Sequence, residues 1–256
     1  MQRIICDTMI WYYLSQDKVK IPDPDKYILV CTYLSLTELA FSQNNFNKLR
    51  EVQQVIKSIF NIRPEIILSY PIDHALELID TEYQFEHKIE EDLVLGFLKV
   101  ILNHPGEGLI DNEFKEQLLF IVNKRKVNYE DWANFLNDLH EGVKEIGHIV
   151  KKFHNDDSDK SNFRGWFVRQ LNESSFEKKY SAGQVNWEKF ELHEKVGARY
   201  MRNMYLTRMK ADRNDENDLQ NMIYVQPGDL YWTLEKRWLS IIREIKLDKY
   251  LYQEPK

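Results

Sequence analysis

"IICDTMIWYYL" (residues 4–14) places a carboxylate, Asp7, at the end of an apolar tripeptide and then resumes an apolar run. Ile4, Ile5 and Cys6 have the β-branched and small apolar character of a buried strand, and Thr8 to Ser15 reads as a helix. Asp7-Thr8 suits the junction as an N-cap, because both side chains accept hydrogen bonds from the first free N–H groups of a helix. It equally suits a site, because a carboxylate at a strand end has no core reason to be there.

The same alternation recurs further along. "YILVCTYLSL" (27–36) reads as a second buried strand leading into a helix that begins at "TELAFSQNN". "FNKLREVQQVIKSIF" (46–60) carries Phe46, Leu49, Val52, Ile56, Ile59 and Phe60 at the spacing of an amphipathic helix, and "PEIILSYPID" (64–73) offers a third strand. From about 74 to 210 the chain turns charged and helical, broken at "HPGEG" (104–108), at the polar run "NDDSDKSN" (155–162) read as a loop, and at "ESSFEKKYSAGQ". Trp132, Phe135, Leu139, Val143, Ile146, Ile149 and Val150 fall on one side of a helix in this region. After 211 the alternation returns, with "DLQNMIYV" helical, "DLYWTL" extended, "EKRWLSIIREI" helical and "KYLY" a short strand. Alternating β and α elements imply a mostly parallel sheet covered by helices, an α/β fold.

The chain has 256 residues, of which 43% are hydrophobic and 30% charged, as in ordinary globular proteins. With 9 Gly and 7 Pro it has few tight turns and long helices. No apolar run is long enough to span a bilayer and the N-terminus has no secretory pattern, so a cytoplasmic location without a membrane partner is expected. Cys6 and Cys31 lie in apolar runs and read as reduced core residues. The net charge of −6 argues against general coating of nucleic acid, although acids gathered at a metal site enter the same sum. Motifs for P-loop nucleotide hydrolases, serine hydrolases and zincins do not occur. His140, His148 and His154 read as structural or surface residues.

If the strands are parallel neighbours, Asp7, Glu38 and Glu235 leave the sheet at one edge, where ligands of such sheets collect. "KADRNDENDLQNMIYV" adds Asp212, Asp215 and Asp218, three residues apart, so Asp215 and Asp218 are expected to point at one site. Carboxylates packed closely repel one another unless a cation is present, and Mg²⁺ or Mn²⁺ takes carboxylate oxygens. Such ions polarise phosphoryl oxygens and acidify water. The bland readings are helix caps, dipole partners and solvated charge at each position.

These residues, "IICDTMIW", "LSLTELAF", "NDENDLQNMIYV" and "LYWTLEKRW", resemble the PIN-domain family of metal-dependent ribonucleases. The resemblance implies a PIN-like three-layer α/β/α core with a mostly parallel sheet plus an α-helical insertion. Its parts are residues 1–73 and 211–256 for the core and 74–210 for the insertion. It implies a Mg²⁺- or Mn²⁺-dependent endoribonuclease acting on single-stranded RNA, leaving a 5′-phosphate and a 3′-hydroxyl. Asp7, Glu38, Asp218 and Glu235 would hold the metal, with Asp215 an additional catalytic carboxylate and Thr8 and Thr233 orienting the ligands. This chain departs from the family pattern in having Glu235 for the usual Asp and Met9 for a small polar residue. The alternative is a catalytically silent scaffold of the same fold whose insertion binds a protein partner such as an antitoxin; homodimers occur among compact members. "ARYMRNMYLTRMKADR" supplies Arg199, Arg202, Arg208, Lys210 and Arg213 with Tyr200 and Tyr205 between, suited to the phosphates and bases of a single strand, or else to a solvated helix face. Of these, Arg202, Arg208, Lys210 and Arg213 are the expected substrate contacts.

Overall fold

The computed structural model describes residues 1–83, 88–105, 116, 119–123, 130–138, 141, 156–175, 178–207 and 209–254. Four parallel strands, β1 (Gln2–Cys6), β2 (Tyr27–Thr32), β3 (Glu65–Ile67) and β4 (Leu230–Trp232), form one sheet in the order β3-β2-β1-β4. Ile5 lies opposite Val30 on one side and Tyr231 on the other. The central strands are buried on both faces, which is why they read as continuous apolar runs.

Alternate residues of β1, β2 and β4 feed separate cores. Ile4, Cys6, Leu29, Cys31 and Trp232 face α1 (Thr8–Ser15), α2 (Tyr33–Ala40), α4 (Leu49–Ile62) and α6 (Lys88–Asn103). Between α2 and α4 lies the short α3 (Asn44–Asn47), and α5 (Pro71–Ile79) follows β3. Ile5, Val30 and Tyr231 face α8 (Glu191–Leu206), α9 (Asp215–Asn221) and α10 (Lys236–Glu244). The result is a three-layer α/β/α arrangement with an all-parallel sheet. Helix α8 lies within the stretch set apart by its charged composition, yet Leu192, Val196, Tyr200 and Met204 share their cluster with the sheet. Helix α7 (Asp156–Ser174) packs on α8 so closely that a Cβ at Gly197 would strike the Phe163 ring.

Several elements differ from the sequence reading for local reasons. The second strand ends at Thr32, not Leu36: the Thr32 hydroxyl accepts from the Ser35 N–H and starts α2 four residues early. The "NDDSDKSN" run is not a loop throughout; from Asp156 it is the first turns of α7. In α4, Val55 is buried and Phe60 exposed, so the apolar stripe follows 52, 55, 56 and 59. Residues 130–138 are helical, but Phe135 is exposed while Ala133 and Leu136 are buried. "KYLY" contributes a short 3₁₀ turn and a single parallel bridge from Leu251 to Tyr231 rather than a strand. Leu139, Val143, Ile146, Ile149, Val150, His140, His148 and His154 lie outside the described residues. Both cysteines are buried and free, with burial pushing both thiol pKa values up. Among the described residues no helix is long and apolar enough to cross a membrane.

Candidate active site

Because β1, β2 and β4 are parallel, their carboxyl ends open on one edge of the sheet, and the helix entering β4 begins at that edge. A cleft of about 430 Å³ lies there. Asp7, Glu38, Asp218 and Glu235 all line it, together with Thr8, Met9, Tyr12, Phe41, Asn44, Arg213 and Asn217. Residues drawn from four separate parts of the chain thus meet in one depression.

Each carboxylate is held by a different device. Asp7 caps α1: its Oδ1 accepts from the Met9 N–H at 3.4 Å, while its Oδ2 accepts from the Thr233 hydroxyl at 2.8 Å. The capping and site readings of Asp7 are therefore compatible, since the capping side chain also lines the cleft. Glu38 accepts from the Asn217 amide at 2.9 Å, and Asp218 from the Trp238 indole N–H at 2.8 Å. The Glu235 N–H donates to the Thr233 hydroxyl at 3.1 Å, and the residue itself is exposed at the rim.

The electrostatics follow from this crowding. Burial, then the charge of Glu38, raises the Asp7 carboxyl to a pKa of about 6, against the lowering pull of the Thr233 and Met9 hydrogen bonds. Asp218 is raised well above the carboxylate range by burial and then by Asp7, against the Trp238 hydrogen bond. Glu38 and Glu235 also push it up. Mutual repulsion of this kind marks acids kept for chemistry more often than acids kept for stability.

As a donor set the four carboxylates suit a hard divalent ion, offering only oxygen. Their spacing is a further matter: among the described residues no three His, Cys, Asp or Glu side chains stand close enough to hold one ion together. Asp7 is buried, Asp218 and Glu38 are half-buried and Glu235 is exposed, and Asp7 and Asp218 are pinned by Thr233 and Trp238. Gathering around an ion would require side-chain rotation, with Glu235 at the exposed rim and Glu38 held by the Asn217 amide.

Not every residue singled out from the sequence reaches the cleft. Asp215 does not share it with Asp218. It is buried and accepts from the Tyr200 hydroxyl at 2.8 Å, from the Asp212 N–H at 2.8 Å and from the Arg237 guanidinium. Three residues along a helix leave a turn of roughly 60°, enough to aim the two aspartates at different neighbours. Arg202 also lies elsewhere, 3.6 Å from the buried Asp159 of α7. Arg213 lines the cleft, Lys210 is exposed outside the cleft lining, and Arg208 lies outside the described residues. Thr8 lines the cleft, but its hydroxyl donates to Ser35 at 3.2 Å rather than to a carboxylate. Asn217, Trp238, Tyr12 and Asn44 escaped the sequence reading. Asn217 precedes Asp218 directly, yet nothing local distinguishes it from the other polar residues of "NDENDLQN".

No protein-family model, curated protein or solved structure matches the chain.

Proposed function

We propose that the protein is a Mg²⁺- or Mn²⁺-dependent phosphodiesterase, and that its substrate is single-stranded RNA. One observation carries the reading: Asp7, Glu38, Asp218 and Glu235 line a single cleft at the carboxyl edge of a parallel sheet, and burial with mutual repulsion raises Asp7 and Asp218. The resemblance to PIN-domain ribonucleases rests on these same four positions, and it alone suggests RNA.

When bound, a divalent ion would neutralise the carboxylates and polarise both a phosphoryl oxygen and water. Asp7 and Asp218 supply fixed oxygens, because Thr233, the Met9 N–H and Trp238 restrict their rotation. Glu38 is oriented by Asn217, and Glu235 closes the rim. Arg213 places a permanent positive charge at the cleft, suited to a phosphate that enters beside the carboxylates.

Calorimetric titration with Mn²⁺, followed by incubation with single-stranded RNA, tests the proposal. Saturable heat and RNA cleavage in the wild type, both lost in Asp7→Asn, are the expected results. Equal cleavage by the variant would place the activity elsewhere. The spacing of the carboxylates favours a second reading, a silent scaffold of the same architecture that binds a protein partner; the absence of saturable Mn²⁺ heat would select it.

A further inference from the structure

A second depression, sharing no lining residue with the acidic cleft, lies where α8 meets the start of α7 and the end of α10. Its volume is about 330 Å³. Lys195, Arg199 and Arg202 project from one face of α8, at successive spacings of four and three residues. Lys160 and Lys246 complete the lining from α7 and from the turn after α10. Among the described residues, the lining holds these five cations and two acids, Asp159 and Glu244, in a chain of net charge −6.

Neighbouring carboxylates fix the positions of three of these cations. Arg199 is held by Glu244 at 2.9 Å and Arg202 by Asp159 at 3.6 Å, and both guanidinium side chains are about a quarter exposed, at 24% and 25%. Lys195 is anchored at its other side by Glu191 at 2.5 Å. Guanidinium groups oriented by a neighbouring acid are arranged in advance for a planar or tetrahedral oxyanion. Among the described residues, Ala198 and Ile245 are the apolar members of the lining and none is aromatic. Bases are bound largely by stacking on rings, so this groove is built for charge and not for nucleobases.

We infer that the groove is a binding site for a compact, multiply charged phosphate compound, with Arg199, Arg202, Lys160, Lys195 and Lys246 as its contacts. The site is independent of the proposed nuclease activity. Pyrophosphate is the probe, titrated calorimetrically into the metal-free protein at physiological salt. The comparison is with the double variant Lys160→Glu, Lys246→Glu, checked by thermal melt, and with the milder single variant Lys246→Gln. Saturable binding is expected in the wild type, weakened about tenfold or more in the double variant and less in the single one, because each close cation–anion contact is worth roughly a few-fold even in water. Asp7→Asn should bind pyrophosphate as the wild type does. The inference is overturned by the lack of saturable pyrophosphate binding, by equal affinity in the wild type and the folded variants, or by loss of binding in Asp7→Asn. Binding of an RNA oligonucleotide in the groove without pyrophosphate binding would overturn it as well.

Discussion

Replacing Asp7 by Asn should make the protein more stable, and the gain should depend on pH in a set way. Asp7 is 6% exposed and its carboxyl is raised from 3.8 to about 6, by burial first and by Glu38 next. A carboxyl with a raised folded pKa contributes its full share of stability below pH 3.8, and this share is lost as pH rises through about 6. At pH 8 ionised Asp7 therefore costs about 3 kcal/mol, taking 1.36 kcal/mol per pKa unit over a rise of roughly two units. Asn keeps an oxygen to accept from the Met9 N–H or the Thr233 hydroxyl but carries no charge. In a chain of this length the variant should melt about 6–12 °C higher at pH 8 in the presence of chelator. At pH 4 the two melting temperatures should converge. Scanning fluorimetry or circular dichroism across pH 4–8 measures this directly. A variant that melts no higher at pH 8, or whose advantage is the same at pH 4, would refute the idea that repulsion is stored at Asp7. On the proposed metal reading, Mn²⁺ should raise the wild-type melt and leave the variant nearly unmoved.

Other perturbations test other parts of the molecule. Gly197→Ala would gain helix propensity in isolation, but its methyl would strike the buried Phe163 ring, so urea denaturation should show a net loss of about 1–3 kcal/mol. His193 is wholly buried between Phe163 and Phe167, and burial lowers its pKa to about 3 from 6.5. The unfolded chain binds the proton first, so stability is lost as pH falls from 6.5 towards 3, by about 2 kcal/mol at pH 5. His193→Leu should remove that acid limb; a wild type and variant that decline in parallel between pH 7 and 5 would contradict it. On the proposed RNA reading, Arg213→Ala should weaken single-stranded RNA binding and reduce the slope of log K against log salt by about 0.7, while Arg202→Ala should leave the slope unchanged. Filter binding at several salt concentrations distinguishes the two arginines.

Much of this protein is legible along the chain, because its signals are local. A helix at Thr8–Ser15 follows from an apolar strand, a capping Asp-Thr and an apolar run within eleven residues. The parallel sheet follows from βα alternation, and the parallel sheet in turn brings the acids after β1, β2 and β4 to one edge. What the chain could not disclose is which groups find partners far away. Asp215 and Asp218 lie three residues apart and are expected at one site, yet Tyr200 and Arg237 claim the first while the second takes the Trp238 N–H and faces the cleft. Arg202 and Arg213 belong to one basic run, but α8 ends between them, so Arg202 stays with Asp159 of α7 while Arg213 lines the acidic cleft. The decisive hydrogen bond on Asp7 comes from Thr233, 226 positions away. Caps, turns and periodicity act over a few residues; the rotation of a helix about its own axis is set by packing against neighbours distant in sequence, and that rotation decides which carboxylate faces the cleft.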